Sequence, residues 1–180
     1  MSLFRKTARR DPLIVTMTGA ALGSRVLILC ADDDALPLDI AAKVGLSGQA
    51  VALAPDASRA DAMARRAERR GIYIDRGVIA LPFPCADQTL DLVIADDRPR
   101  PAGVRTAPPL LAEALRVLRP GGRLVVLRSA GVWPWARGGS DASEATAAAL
   151  LQELLGAGFR AAREIAARQG IRFLEGAKGA

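Results

Sequence analysis

The chain has 180 residues, enough for one well-cored domain and too few for two ordinary ones. With 51% apolar residues, global disorder is excluded. Histidine is absent, which removes imidazole bases and histidine-ligated zinc. Two cysteines, Cys30 and Cys85, are too few for a disulfide framework or a four-thiolate metal site, and they suit a reducing, cytoplasmic setting. Lysine and arginine number 25 against 19 acidic residues, a net charge of +6.

The basic excess clusters in residues 5–10 and 65–70. No aromatic residue lies inside those runs to stack on a base, so they read as solvated arginine faces and no nucleic-acid partner is expected. Residues 1–22 read as a basic, helical N-terminal extension, and residues 23–180 as the domain proper. The apolar stretch Leu13–Leu22 is broken by Thr16, Thr18 and Gly19 and feeds straight into a strand, so it is not read as a cleavable leader. No run approaches the roughly 18 apolar residues of a membrane helix, and no membrane span is expected.

In chain order, RVLILCA (25–31) is a continuous apolar run, the mark of a strand buried on both faces. A helix follows Asp34, with Leu36, Ile40 and Val44 on one side and Gly45 and Gly48 at its close. AVALA (50–54) is a second buried strand. Asp56 or Ser58 caps a helix running to Gly71. IYI (72–74) reads as a third strand, followed by a loop containing LPFP. LDLVIAD (90–96) is a fourth strand. After a proline-rich connection comes the helix LLAEALRVL, stopped by Arg119-Pro120-Gly121-Gly122, and then a fifth strand, RLVVLRS (123–129). Asp141 and Glu144 have the spacing of a capping box ahead of a helix reaching Leu155. FRAAREIAAR and IRFLEGA flank Gln169-Gly170, a hairpin turn. Alternating strands and helices imply an α/β fold: one doubly wound, Rossmann-like sheet, mostly parallel, ending in an antiparallel β-hairpin.

Five local motifs in this order resemble class I S-adenosylmethionine-dependent methyltransferases. They are RVLILCADDD, VALAPDAS, LPFPCADQTLDLVIAD, LRVLRPGGRLVV and the closing GFRAAREIAARQGIRFLEG. The third and fourth resemble the ubiquinone/menaquinone-biosynthesis-like, type 11 branch, and the likeness spans roughly residues 23–176. It implies S-adenosylmethionine as cofactor and a small-molecule acceptor that the sequence does not identify. The alternative is a methyltransferase-fold binding or scaffold module without the reaction. A short chain leaves little lid, so an open cleft, or one closed by a second copy in a homodimer, is expected.

The resemblance places the cofactor loop at Cys30, Ala31, Asp32, Asp33 and Asp34, where family members carry glycines that let the backbone approach the ligand. All those glycines are absent, a degenerate form of the motif. The aspartates bring like charge toward the cofactor's carboxylate, costing on the order of 1 kcal/mol per approach near 4 Å in water. Weak S-adenosylmethionine binding is therefore predicted. The three aspartates read as helix-capping residues rather than a cation site. The family's ribose-binding acid falls on Ala54, with Asp56 two residues on; ribose contact and helix cap remain equally open for Asp56. Gly77 and Val78 occupy the adenine position without its usual carboxylate, leaving apolar walls such as Ile79 and Leu81. Asp96 and Asp97 end the fourth strand at the ligand edge, either near the cofactor or ion-paired at the surface with Arg98 and Arg100. Trp133 and Trp135, after strand five, are either a substrate wall or a plug over the sheet end. Cys30 reads as a packing residue and Cys85 as exposed. No residue is assigned a catalytic role.

Overall fold

The computed structural model of the chain describes residues 12–30, 35–98, 106–129 and 139–180. Helix α1 (Pro12–Met17) leads into β1 (Arg25–Leu29), followed by α2 (Ala35–Val44), β2 (Gln49–Ala54), α3 (Ala57–Arg70) and β3 (Asp75–Val78). Then come β4 (Leu90–Asp96), α4 (Pro108–Val117), β5 (Leu118–Ser129), α5 (Gly139–Gly156), β6 (Arg160–Arg168) and β7 (Ile171–Ala177). The strands form one sheet in the order β3-β2-β1-β4-β5-β7-β6. The first five pair in parallel, while β7 pairs antiparallel with both β5 and β6. This is the doubly wound sheet with a terminal hairpin that the alternating pattern implies.

Strand β1 explains the layering. Val26 through Leu29 are all buried, and their side chains point alternately into two separate cores. Val26 and Ile28 join Leu36, Ile40 and Val44 of α2, Met63 and Ala67 of α3, and Ile14, Val15 and Met17 of α1. Leu27 and Leu29 join Leu111 and Val117 of α4 and Leu150 and Leu154 of α5 on the other face. Among the described residues, no helix is long and apolar enough to cross a membrane.

Helix α3 is short of large apolar residues, so it buries small ones. Ala60, Met63, Ala64 and Ala67 recur at the 3–4 residue spacing of one helical stripe, and the three alanines let the helix lie close to the sheet around the single large side chain of Met63. Asp56 is its N-cap, accepting the Arg59 N–H at 2.9 Å. Gly71 ends it in the left-handed region at φ 61°, a conformation that costs a residue with a β-carbon roughly 1–2 kcal/mol.

Three boundaries depart from the sequence reading. The third strand is Asp75–Val78 rather than residues 72–74. Ile72 is drawn into the helix end, its N–H donating to the Ala67 carbonyl, and Ile74 serves the core. The strand itself is polar because it lies at the sheet margin, where hydropathy gives no signal. The first strand stops at Leu29, although the Cys30 N–H still reaches the Leu53 carbonyl at 2.8 Å. The fifth strand begins at Leu118 instead of 123: Leu118 pairs with Leu90, and the register then shifts at the Pro120-Gly121-Gly122 segment before Arg123 pairs with Leu92.

No helix stands between β3 and β4. The loop 79–89 covers that part of the sheet, with Phe83 buried among Leu53, Leu111 and their neighbours. Arg116, in the last turn of α4, holds the loop down. Its guanidinium chelates Glu113 at 2.7 and 2.8 Å, donates to the carbonyls of Phe83 (3.3 Å) and Cys85 (3.2 Å), and pairs with Asp87. Glu113 in turn accepts the Phe83 N–H at 2.8 Å. Cys85 is therefore half-buried rather than exposed, and burial pushes its thiol pKa up.

The hydrogen bond from Arg116 holds the Glu113 carboxyl below the usual carboxylate range. Glu113 thus keeps its proton off to lower pH in the fold than in the unfolded chain. Its contribution to stability is complete above about pH 4.3 and is lost as pH falls through the lower folded value. Glu113→Gln should flatten the acid limb of stability against pH. Arg116→Ala, which strips donors from two loop carbonyls, should cost about 2 kcal/mol in urea unfolding at pH 7. An unaltered acid limb in Glu113→Gln would show that this carboxylate does not couple to folding.

Candidate functional site

Strands β1 and β4 are neighbours, yet their following connections leave in opposite directions. Helix α2 packs on one face of the sheet and α4 on the other. A crevice must open outside the carboxyl ends of these two strands, the place where open α/β sheets hold ligands. Its described floor consists of strand ends: Cys30 after β1, Ala54 of β2, Val78 and Ile79 at β3, and Asp96 and Asp97 at β4.

The β1–β3 side of this floor is apolar. Cys30 is 4% exposed and its thiol lies 3.6 Å from the Ile28 carbonyl, so it packs rather than reacts. Ala54 and Val78 are lateral partners in the sheet, and the Ile79 N–H donates to the Ala54 carbonyl at 2.8 Å. Val78 and Leu81 are largely exposed, and Ile79 is half-buried. Gly77 and Val78 also border an open groove of about 550 Å³ between α3 and β3. That groove lies at the sheet margin, away from the β1–β4 crevice.

The β4–β5 side is charged and internally matched. The Asp96 carboxylate is 1% exposed and is gripped by the Arg98 guanidinium at 2.7 and 2.6 Å. Asp97, fully buried, takes Arg128 Nη2 at 2.9 Å, and the same nitrogen donates to Thr106 Oγ1 at 3.2 Å. The Asp97 N–H donates to the Leu127 carbonyl, and Ser129 Oγ to the Arg98 carbonyl, so the ends of β4 and β5 are stitched together. These aspartates are not the surface ion pairs the sequence suggested. They are buried, and Asp97 pairs with Arg128 on the next strand. The sequence reading missed Arg128 and Thr106; the signal was an arginine closing an otherwise apolar strand, RLVVLRS.

Asp56 lies at the rim, exposed. One oxygen caps α3 and the other sits 3.3 Å from Arg59 Nε. The structure thus gives Asp56 the cap role, and Ala54 carries no polar group for a ribose. Ala31, Asp32, Asp33 and Asp34 lie outside the described residues, as do Trp133 and Trp135. The described residues bring Cys30, Asp96 and Asp97 to one crevice and leave Asp56 at its edge.

Arg128 sits in a nearly closed site, 9% exposed, against a fully buried carboxylate. Removing one partner of such a pair strands the other's charge, at a cost of about 3–5 kcal/mol, whereas replacing both by apolar groups is close to neutral. Arg128→Met should therefore unfold at far lower urea than the wild type, and Arg128→Met with Asp97→Leu should recover most of the loss. A loss in the double variant equal to the sum of the two single losses would mean that Asp97 and Arg128 do not act as a unit.

No protein-family model matches the sequence, and no curated protein does. Solved structures do. An S-adenosylmethionine-dependent methyltransferase from Aquifex aeolicus superposes with a TM-score of 0.73 at 14% identity, over 92% of this chain and 88% of that one. A methyltransferase from Pyrococcus furiosus gives 0.68 at 17% identity, over 94% and 82%. The cyclase SpnF gives 0.67 at 16% identity, over 93% and 79%. At these identities the likeness is one of architecture, and it agrees with the strand order and the hairpin: the chain has the class I S-adenosylmethionine-dependent methyltransferase fold.

Proposed function

We propose that the chain is an S-adenosylmethionine-dependent methyltransferase-like protein of the cytoplasm, acting on a small acceptor in the crevice at the ends of β1 and β4. The observation that carries this reading is the switch point itself, set in a sheet whose order and antiparallel β7 match those of methyltransferases. The described floor suits an adenosyl group in part. Val78, Ile79 and Leu81 offer apolar surface for a base. Among the described residues no carboxylate stands ready for the ribose, since Ala54 is apolar and Asp56 already serves α3.

When bound, the cofactor supplies an electrophilic methyl group. The chain's contribution is then to hold the acceptor in line and keep water away, which calls for little acid–base help. That division suits a site whose carboxylates are committed: Asp96 to Arg98, and Asp97 to Arg128. The same commitment is what favours the second reading, a binding module without the reaction.

Calorimetric titration separates the two. S-adenosylmethionine and S-adenosylhomocysteine should bind the unmodified chain weakly, with Kd in the range of about 0.1–1 mM. Asp32→Gly with Asp34→Gly should tighten both, because it removes carboxylates from the loop that the resemblance places against the cofactor's own carboxylate. Low-micromolar binding by the unmodified chain would overturn the weak-binding expectation. No binding by either form would favour the module.

A further inference from the structure

The opposite edge of the sheet, where the parallel strands begin, carries features that the cofactor crevice does not use. The three most exposed large hydrophobic residues among those described are Leu46 (90%), Leu22 (76%) and Tyr73 (72%). Each stands on the turn entering one of three adjacent strands: Leu22 before β1, Leu46 before β2 and Tyr73 before β3. With strands about 4.8 Å apart, the three turns form a row roughly 10 Å long.

The row has a fixed backing. The Gly23 N–H donates to the Val44 carbonyl at 2.9 Å and the Gln49 N–H to the Ser24 carbonyl at 3.0 Å, which locks the first two turns together. A side-chain ladder then crosses the edge. The Tyr73 hydroxyl and Gln49 Nε2 both donate to Asp75, each at 3.2 Å, and Arg25 donates to Gln49 Oε1 at 3.5 Å. Asp91 accepts the Arg25 N–H at 2.7 Å and pairs with Arg119 at 2.6 Å.

Cations surround the tips. Lys43 closes α2, Arg69 and Arg70 close α3, Arg25 opens β1, and Arg119 and Arg123 lie in the first half of β5, with Arg123 donating to the Gly19 carbonyl at 3.1 Å. The nearby carboxylates are Asp39, Glu68, Asp75 and Asp91. Asp39 is paired with Arg70, and Asp75 and Asp91 belong to the ladder. An open hollow of about 350 Å³, bordered by Leu22, Ser24, Asp91, Arg119 and Arg123, lies beside the row.

We propose that this edge docks on the surface of an anionic lipid bilayer. Leu22, Leu46 and Tyr73 enter the boundary between headgroups and acyl chains, and the surrounding cations, the exposed Lys43 and Arg69 foremost, face lipid phosphates. Exposed leucines on convex turns, ringed by arginine and lysine, are what such an interface requires. Two of the three tips are leucines, which offer no flat face for stacking on bases, and three separate turns present no groove for a peptide. The inference is independent of cofactor binding, because the two edges lie at opposite ends of the strands. Docking here leaves the crevice facing away from the bilayer.

The test is cosedimentation of the full chain with phosphatidylcholine vesicles, alone or with about a third phosphatidylserine. Partition onto the anionic vesicles should exceed that onto neutral ones by roughly tenfold and fall with added salt. Leu22→Glu with Leu46→Glu should lower it about tenfold while leaving the thermal midpoint unchanged, since both side chains are exposed. Lys43→Gln with Arg69→Gln should lower it as well and weaken its salt dependence. Three results overturn the proposal. One is equal partition onto both vesicle types. Another is anionic binding that survives the leucine changes, including displacement by single-stranded RNA regardless of the leucines, which marks simple polyanion attraction. The third is a dimer in light scattering that the leucine variant splits, which assigns the row to a second copy of the chain.

Discussion

Strand β1 is hydrogen-bonded in parallel on both sides, to β2 and to β4. A parallel neighbour is reached only by a crossover that passes over one face of the sheet. The path to β2 runs through α2 on one face, while the path from β4 runs through α4 on the other. The crevice at the carboxyl ends follows from that geometry, before any side chain is specified. So do the two separate cores and the apolar run Val26–Leu29 of β1, which has no solvent-facing side for a polar residue to occupy. Leu27 and Ile28 are adjacent in sequence yet belong to different cores, so the chain cannot be polar at either without harming one layer.

The parts of the fold read correctly from sequence are those with two-sided burial. VLIL, AVALA and LDLVIAD are apolar runs that admit only an interior place, and the Gln169-Gly170 turn adopts the left-handed angles that close a tight hairpin. The third strand was misplaced because an edge strand has half its surface in water: Asp75-Arg76-Gly77-Val78 has the composition of a loop. Ile72 and Ile74 looked like the strand because they are β-branched, but one finishes a helix and the other plugs the core. At the crevice, Cys30 was legible as packing from its apolar flanks. The burial of Asp96 and Asp97 was not, since the sequence set them beside Arg98 and Arg100, while a residue 31 positions further on, Arg128, supplies the partner that makes Asp97 tenable in the interior. The local trace of this pairing is the arginine near the end of RLVVLRS, which does not say which carboxylate it meets.

Architecture and chemistry part company in this fold. A methyltransferase and a cyclase share it with this chain at TM-scores of 0.73 and 0.67. The common element is the switch point, and what differs is the set of side chains placed around it. Here those side chains are largely settled among themselves: Asp96 with Arg98, Asp97 with Arg128 and Thr106, Asp56 with the start of α3.

The latch made by Arg116 has a consequence for how the molecule breathes. Its guanidinium binds the loop before β4 and the helix after it, so loop 79–89 and the last turn of α4 form a single cooperative unit. Ile79 belongs to that loop and also floors the crevice. A ligand resting on Ile79 therefore restrains α4, a helix it never touches, and local unfolding of α4 carries away part of the floor. The loop that carries Ile79 and the end of α4 are joined through Arg116, through the Glu113 bond to the Phe83 N–H, and through the Gln88 and Thr89 N–H groups on the Arg116 and Val117 carbonyls.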